Sequence, residues 1–229
     1  MAEPASHVGS SPKVARRAAT PVAGAVAGIA FAVLFGVSMT ILRQTIGDTG
    51  ESGAWLSGDT RLFKFALALV PFAGLAFLWF IGVARQRLGK LEDQFFSTVL
   101  MGSGLLFLAM LFAAAATTGA IVAAAASDPE GFAASTTYAY ARQALAQILA
   151  IYALRMAAVF LLSQATLWLR TRVMPRWLAL LTVAVALVLL FVFTQSWWVV
   201  LIFPAWVLLV CVFILIAPSR EEPTADSRQ

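Results

Sequence analysis

Arg155 is the most pointed chemical feature of this sequence, because it lies at the middle of a long apolar run, Gln143 to Leu169, about 18 Å of helix from either end. A guanidinium stays charged in any protein environment, and insertion scales place a central arginine about 2.5–3.5 kcal/mol uphill in a bilayer. It must face protein or a wet cavity. At about 100° per residue, Tyr152, Ser163 and Thr166 fall within about 80° of it, a polar stripe expected to face the interior of a bundle. The usual partner would be a carboxylate, yet all 11 acidic residues lie in tails, in loops or at the edges of apolar runs. That leaves backbone carbonyls, side chains such as Gln147 or Thr166, water, or an anion from outside the chain, such as a lipid phosphate or an anionic metabolite. Arg155, Tyr152, Ser163 and Thr166 are therefore the candidate ligand-binding residues. The competing reading makes Arg155 a bridge between helices through carbonyls.

Other chemistry finds little support. The sequence contains no H-E-x-x-H, no G-x-S-x-G, no Walker lysine loop and no pair of intramembrane aspartates. His7 is the single histidine and falls in a polar tail, and Cys211, the single cysteine, falls in the last apolar run. No metal site and no cofactor is expected from them. A proton-driven pump would want a membrane-embedded Asp, Glu or His, and an enzyme would want a convergent nucleophile and base, which Tyr152, Ser163 and the loop acids do not supply. Glu92 and Asp93 are adjacent, so on a helix they point about 100° apart, a poor geometry for a shared proton or metal. Both suit the positive end of a helix dipole. Asp59 likewise reads as an N-cap.

The elements that would position Arg155 follow from hydropathy. The 229 residues are 61% hydrophobic and 12% charged, against about a quarter charged in an ordinary soluble domain. Apolar runs long enough to cross about 30 Å of hydrocarbon recur at about 20–42, 65–84, 95–126, 143–169, 177–193 and 197–217. The fold class expected is all-α, a polytopic membrane helix bundle of six transmembrane helices. Residues 1–19 and 218–229 are expected to be disordered cytoplasmic tails. The first run lacks a cleavage pattern at its end and is expected to remain as an uncleaved helix. The third, about 48 Å as a straight helix, must tilt, protrude or break, with Thr117, Thr118 and Gly119 the weakest point.

Charge orients the set. Lys13, Arg16 and Arg17 precede the first run, Arg85, Arg87 and Lys90 follow the second, and Arg170, Arg172 and Arg176 follow the fourth. All three groups fall on one side of a six-span chain, so the positive-inside bias puts both termini on the cytoplasmic side of the membrane. The same pattern accounts for the net charge of +5 without nucleic acid. Gly24, Gly28, Ala32 and Gly36 recur every four residues, as do Ala109, Ala113, Ala116 and Ala120 with one shorter step. Both are expected to be helix contacts within the monomer, with a dimer interface as the other use of such stripes. Pro71 and Pro204 are expected to kink their helices, and Pro175 suits the first turn of the fifth.

Residues 70–116 and 154–181 resemble a group of uncharacterised actinobacterial membrane proteins. The most specific pieces are the turn around Arg87, Leu88, Glu92 and Asp93, and Arg155-Met156 followed by L-R-T-R-V-M-P-R-W. The resemblance covers about the second to fifth runs and implies topology and host class, with no activity attached. Thirteen Arg against three Lys agree with a GC-rich bacterial origin. The expected activity is binding, with or without transport, of a lipid-like or anionic small molecule at Arg155. The alternative is a structural or accessory subunit that docks another membrane protein or a second copy of itself.

Overall fold

The structure is a computed structural model that describes residues 12–88, 94–172, 174–191 and 197–216. Residues 1–11 and 217–229 of the tails, Lys90, the Glu92–Asp93 pair and the turn at Thr194 to Ser196 lie outside the described residues. Helices α1 (Pro12–Ile46), α2 (Arg61–Leu88) and α3 (Gln94–Ala124) are followed by a short α4 (Pro129–Ala133). Then α5 (Thr136–Gln147), a π-helical turn (Ile148–Ala153) and α6 (Leu154–Thr171) run on without a break. α7 (Arg176–Phe191) and α8 (Trp197–Ile216) complete the bundle, and no strand occurs among the described residues.

Five stretches are long and apolar enough to cross a membrane: Val22–Ile46, Arg61–Ala84, Phe95–Ala124, Thr136–Thr171 and Val199–Ile216. α7 is apolar but has 16 residues, about 24 Å of helix. Large apolar side chains cover the outside, among them Phe65, Phe72 and Trp79 of α2 and Leu105, Leu106 and Phe112 of α3. Acyl chains solvate such a surface and water does not, which marks a membrane-embedded helix bundle.

Contacts at the two ends give the helix directions. At one end Gly24 abuts Val83, Gly28 abuts Cys211, the Arg170 guanidinium lies 4.8 Å from the Phe96 ring centre, and the Trp177 and Phe213 rings are 5.8 Å apart. At the other end Ile46, Ile121, Tyr138 and Val200 surround a common cavity. Successive long helices therefore alternate in direction, α7 lies antiparallel to α8, and the start of α1 and the end of α8 share an end.

Between the two ends the core is aromatic. Phe31 and Phe35 of α1, Phe77 and Phe80 of α2, Phe107, Phe160 and Phe203 form one cluster with ring centres 4.6–6.5 Å apart. Five helices meet there. Apolar side chains gain little by leaving lipid for one another, so cohesion has to come from close packing and from a few polar clips. Ser38 supplies such a clip, its buried hydroxyl donating to the Ala66 carbonyl of α2 at 2.7 Å. Among the described residues Trp206 Nε1 is buried without a hydrogen-bond partner.

Several local expectations are met and several are not. Asp59 Oδ1 accepts from the Arg61 N–H at 2.9 Å and starts α2 as a cap should. Pro175 stands just before α7, and its carbonyl accepts from the N–H groups of Leu178 and Ala179. α2 and α8 continue through Pro71 and Pro204. α3 does not break at Thr117 and Thr118, because their hydroxyls donate to the carbonyls of Ala113 and Ala114 one turn back, at 2.8 and 2.7 Å, and stay inside the helix's own hydrogen bonding. α1 begins at Pro12, ahead of the expected boundary at residue 20.

The two small-residue stripes part company. Gly24 and Gly28 are buried against α2 and α8 and Ala32 is buried beside them in the stripe, as expected, whereas a Cβ added at Gly36 would meet nothing within 4 Å. Ala109, Ala116 and Ala120 lie on the outer face of α3, so the expected contact within the monomer is corrected. That face of an evenly apolar helix carries no polar residue to tell outside from inside.

Arg172 closes α6 in the left-handed conformation, φ 52°, where its N–H donates to the Trp168 carbonyl at 2.9 Å. Glycine is the usual residue there, and an L side chain costs about 1–2 kcal/mol. Arg172→Gly should therefore raise the thermal unfolding temperature in detergent, by an amount worth about 1 kcal/mol. A lower unfolding temperature would show that the guanidinium does more for the fold than the strain costs it.

Candidate functional site

The connection between α1 and α2 folds back over the end of the bundle. Gly47–Gly50 and Ala54–Ser57 are short 3-10 turns, separated by Gly53 at φ 72°. Tyr138 at the start of α5 holds this cap: its hydroxyl donates to the Gly50 carbonyl at 2.6 Å and accepts from Trp55 Nε1 at 3.2 Å. Trp55 in turn packs on Phe63 with ring centres 4.7 Å apart. The α4 to α5 corner comes up from the other side. Asp128 Oδ1 caps α4 through the Gly131 N–H, and Ser135 Oγ caps α5 through the Tyr138 N–H.

Beneath the cap lies a cavity of about 360 Å³, within the range of small-molecule sites. Its walls and floor are apolar, with Ile46, Ile121, Leu145, Leu149, Leu154 and Val200, and the backbone of Gly47 and Gly50 borders it. The cations are Arg43, in the last turn of α1, and Arg142 of α5. Glu51 stands 3.8 Å from Arg142 Nη1, with their side chains 89% and 42% exposed respectively. A pair that long and that open to solvent is weak, so an anion in the cavity can compete for the Arg142 guanidinium. A void of about 30 Å³ continues inward between α1, α2, α3 and α5 past Thr118. The phenylalanine cluster closes the far side: Phe203 and Phe160 lie about 4.5 and 9 Å of helix beyond Val200 and Leu154.

No family model matches the chain, and no curated protein or solved structure does. The cavity's own geometry has to carry the functional reading.

Arg155 does not line this cavity. Its Nη1 donates to the carbonyls of Ala150 and Ile151, at 2.9 and 3.0 Å, in the π-helical turn just before it. Backbone carbonyls were among the partners expected for it, but they belong to its own helical stretch. Ser163 and Thr166 donate to the carbonyls of Val159 and Leu162. Tyr152 points outward with 57% exposure, against the expected inward stripe. The four residues share a helix without converging on one space. Ala150, within the turn that Arg155 holds, and Leu154, just after it, link the two regions, since both line the cavity.

Arg43, Arg142, Trp55 and Tyr138 were not singled out as site residues from the sequence. One signal was available: Arg142 lies fourteen positions from Asp128 and twelve from Glu130 and near no other charge in its run, so its partner had to come from another segment.

Proposed function

We propose that this is a six-span bacterial plasma-membrane protein, both chain ends cytoplasmic, that binds an amphipathic anion in the cavity between Arg43 and Arg142. The ligand class is an acyl chain with an anionic head. The observation that carries it is the pairing, in one chamber, of apolar walls and floor with two guanidinium groups. α7 supports the count of six, because it packs along α6 and its start meets the end of α8 through Trp177 and Phe213. Basic residues support the orientation. Among the described residues eight of them, from Lys13 to Arg176, group at the end where α1 starts, against Arg43, Arg61, Lys64 and Arg142 among acids at the other. The cavity then opens away from the cytoplasm.

The test is thermal stabilisation of the purified protein by dioleoyl phosphatidylglycerol, with dioleoyl phosphatidylcholine and inorganic phosphate as controls for chain and head. The anionic phosphatidylglycerol should stabilise most. Arg142→Gln should weaken its binding about ten- to a hundredfold, the worth of a hydrogen bond to a charged group. Equal stabilisation by both lipids, or no effect of Arg142→Gln and Arg43→Gln, would sink the reading.

A second reading, an accessory subunit that docks another membrane protein or a second copy, rests on the outward alanines of α3. It expects no preference for head charge in the same experiment.

A further inference from the structure

The π-helical turn Ile148–Ala153 is where the α5 to α6 stretch leaves α-helical register, and it places Leu149 and Ala150 in the cavity wall. A π turn holds one residue more than an α turn. On its exit the Leu154 N–H is shared between the carbonyls of Ile151 and Leu149, three and five residues back. The α-helix that resumes at Leu154 uses carbonyls four residues back, from Ile151 onward. The Ala150 carbonyl, the α-helical acceptor for the Leu154 N–H, is passed over by it. An acceptor left unpaired in hydrocarbon is costly, and Arg155 Nη1 lies 2.9 Å from that oxygen. The arginine at the centre of the span thus meets a demand that the backbone itself creates.

We propose that Arg155 is a positioning residue of the cavity: by bonding the skipped carbonyl it holds the extra residue of the π turn, and so aims α5 with Arg142 and Tyr138 at the site. Without it the turn can relax to α register, which rotates α5 by about 100° and shifts it about 1.5 Å against α6. Arg142 then leaves both the chamber and Glu51. The proposal rests on the cavity being the ligand site only for its consequence, since the aim of α5 can be read without any ligand.

The experiment places cysteines at Glu51 and Arg142 in a Cys211→Ala background and measures their joining by a short bifunctional methanethiosulfonate. Arg155→Lys should cross-link like the parent, because an ammonium can serve the same two carbonyls. Arg155→Leu should slow the reaction about tenfold, the effect of one charged hydrogen bond. Arg155→Leu with Ile151 deleted should restore it, because removing the extra residue leaves a uniform α-helix with α5 and α6 in their present phase. Where Arg155→Leu alone yields no folded protein, the deletion variant carries the test. An unchanged rate in Arg155→Leu, or no recovery on deletion, overturns the proposal. Binding of dioleoyl phosphatidylglycerol is then measured with Glu51 and Arg142 intact. Cross-linking that follows the expected pattern while the lipid stabilises none of the proteins would remove the ligand reading and leave the positioning role standing.

Discussion

Alanine at Phe77 is expected to cost the bundle about 3–5 kcal/mol, the range for removing a fully buried phenylalanine. The ring is wholly buried and lies 4.6 Å from Phe31, 5.4 Å from Phe107, 5.5 Å from Phe160 and 5.7 Å from Phe203. Its ring thus meets rings of four partner helices, as does that of Phe203. In lipid this matters more than burial as such, since the unfolded helices are already out of water and close packing is what they gain by associating. The hole left by Ala cannot be filled by one partner without drawing it from another. Unfolding in mixed micelles by sodium dodecyl sulfate would measure the loss, with Phe77→Leu expected to fall between the two. A loss below about 1 kcal/mol would mean that the helices find an equally good packing without the ring, as forgiving cores do.

The same solvent argument explains what could be read in advance. In a bilayer the backbone must satisfy itself, so apolar length alone forecasts helices, and an all-α bundle built on long apolar helices was legible. So was the cap at Asp59, a local device with a local signature, and so was the inward use of Gly24 and Gly28, whose four-residue spacing matters only where another helix comes close. Rotation about the helix axis was not legible. α3 is apolar all round, and Ala109, Ala116 and Ala120 carry nothing to separate a lipid face from a protein face.

The site was harder for a different reason. Arg155 raised the correct question, how a mid-membrane guanidinium is paired with no carboxylate within reach. The answer depended on a π turn, and the residues Ile148 to Ala153 have the same composition as any α-helical stretch of the span. Tyr138 joins Trp55 and Gly50 across more than 80 positions of sequence, so neither its role nor the chamber under the cap has a local signal. Arg43 and Arg142 read as ordinary loop-side charges until the fold brings them to one cavity.

Gly53 offers the sharpest test of that cap, because two independent costs meet at one position. At φ 72° its backbone is in the left-handed region, where an L side chain costs about 1–2 kcal/mol. A Cβ there would also fall 2.6 Å from Ala133 Cβ and 3.2 Å from Tyr138 Cε1. Overpacking of that kind adds about 1–3 kcal/mol. Gly53→Val should therefore push the α1 to α2 connection off the α4 to α5 corner and break the bonds from Tyr138 to Gly50 and from Trp55 to Tyr138. Gly47→Val is the matched control: φ is 49° and nothing lies within 4 Å of the added Cβ, so only the conformational cost applies. Hydrogen exchange of the Trp55 and Leu56 amides reads the result directly. Exchange should speed up far more in Gly53→Val than in Gly47→Val, and stabilisation by dioleoyl phosphatidylglycerol should weaken with it, since the cap roofs the chamber. Equal effects of the two substitutions would mean that the docking against Ala133 and Tyr138 contributes nothing, and that the connection keeps its shape by its own backbone preferences alone.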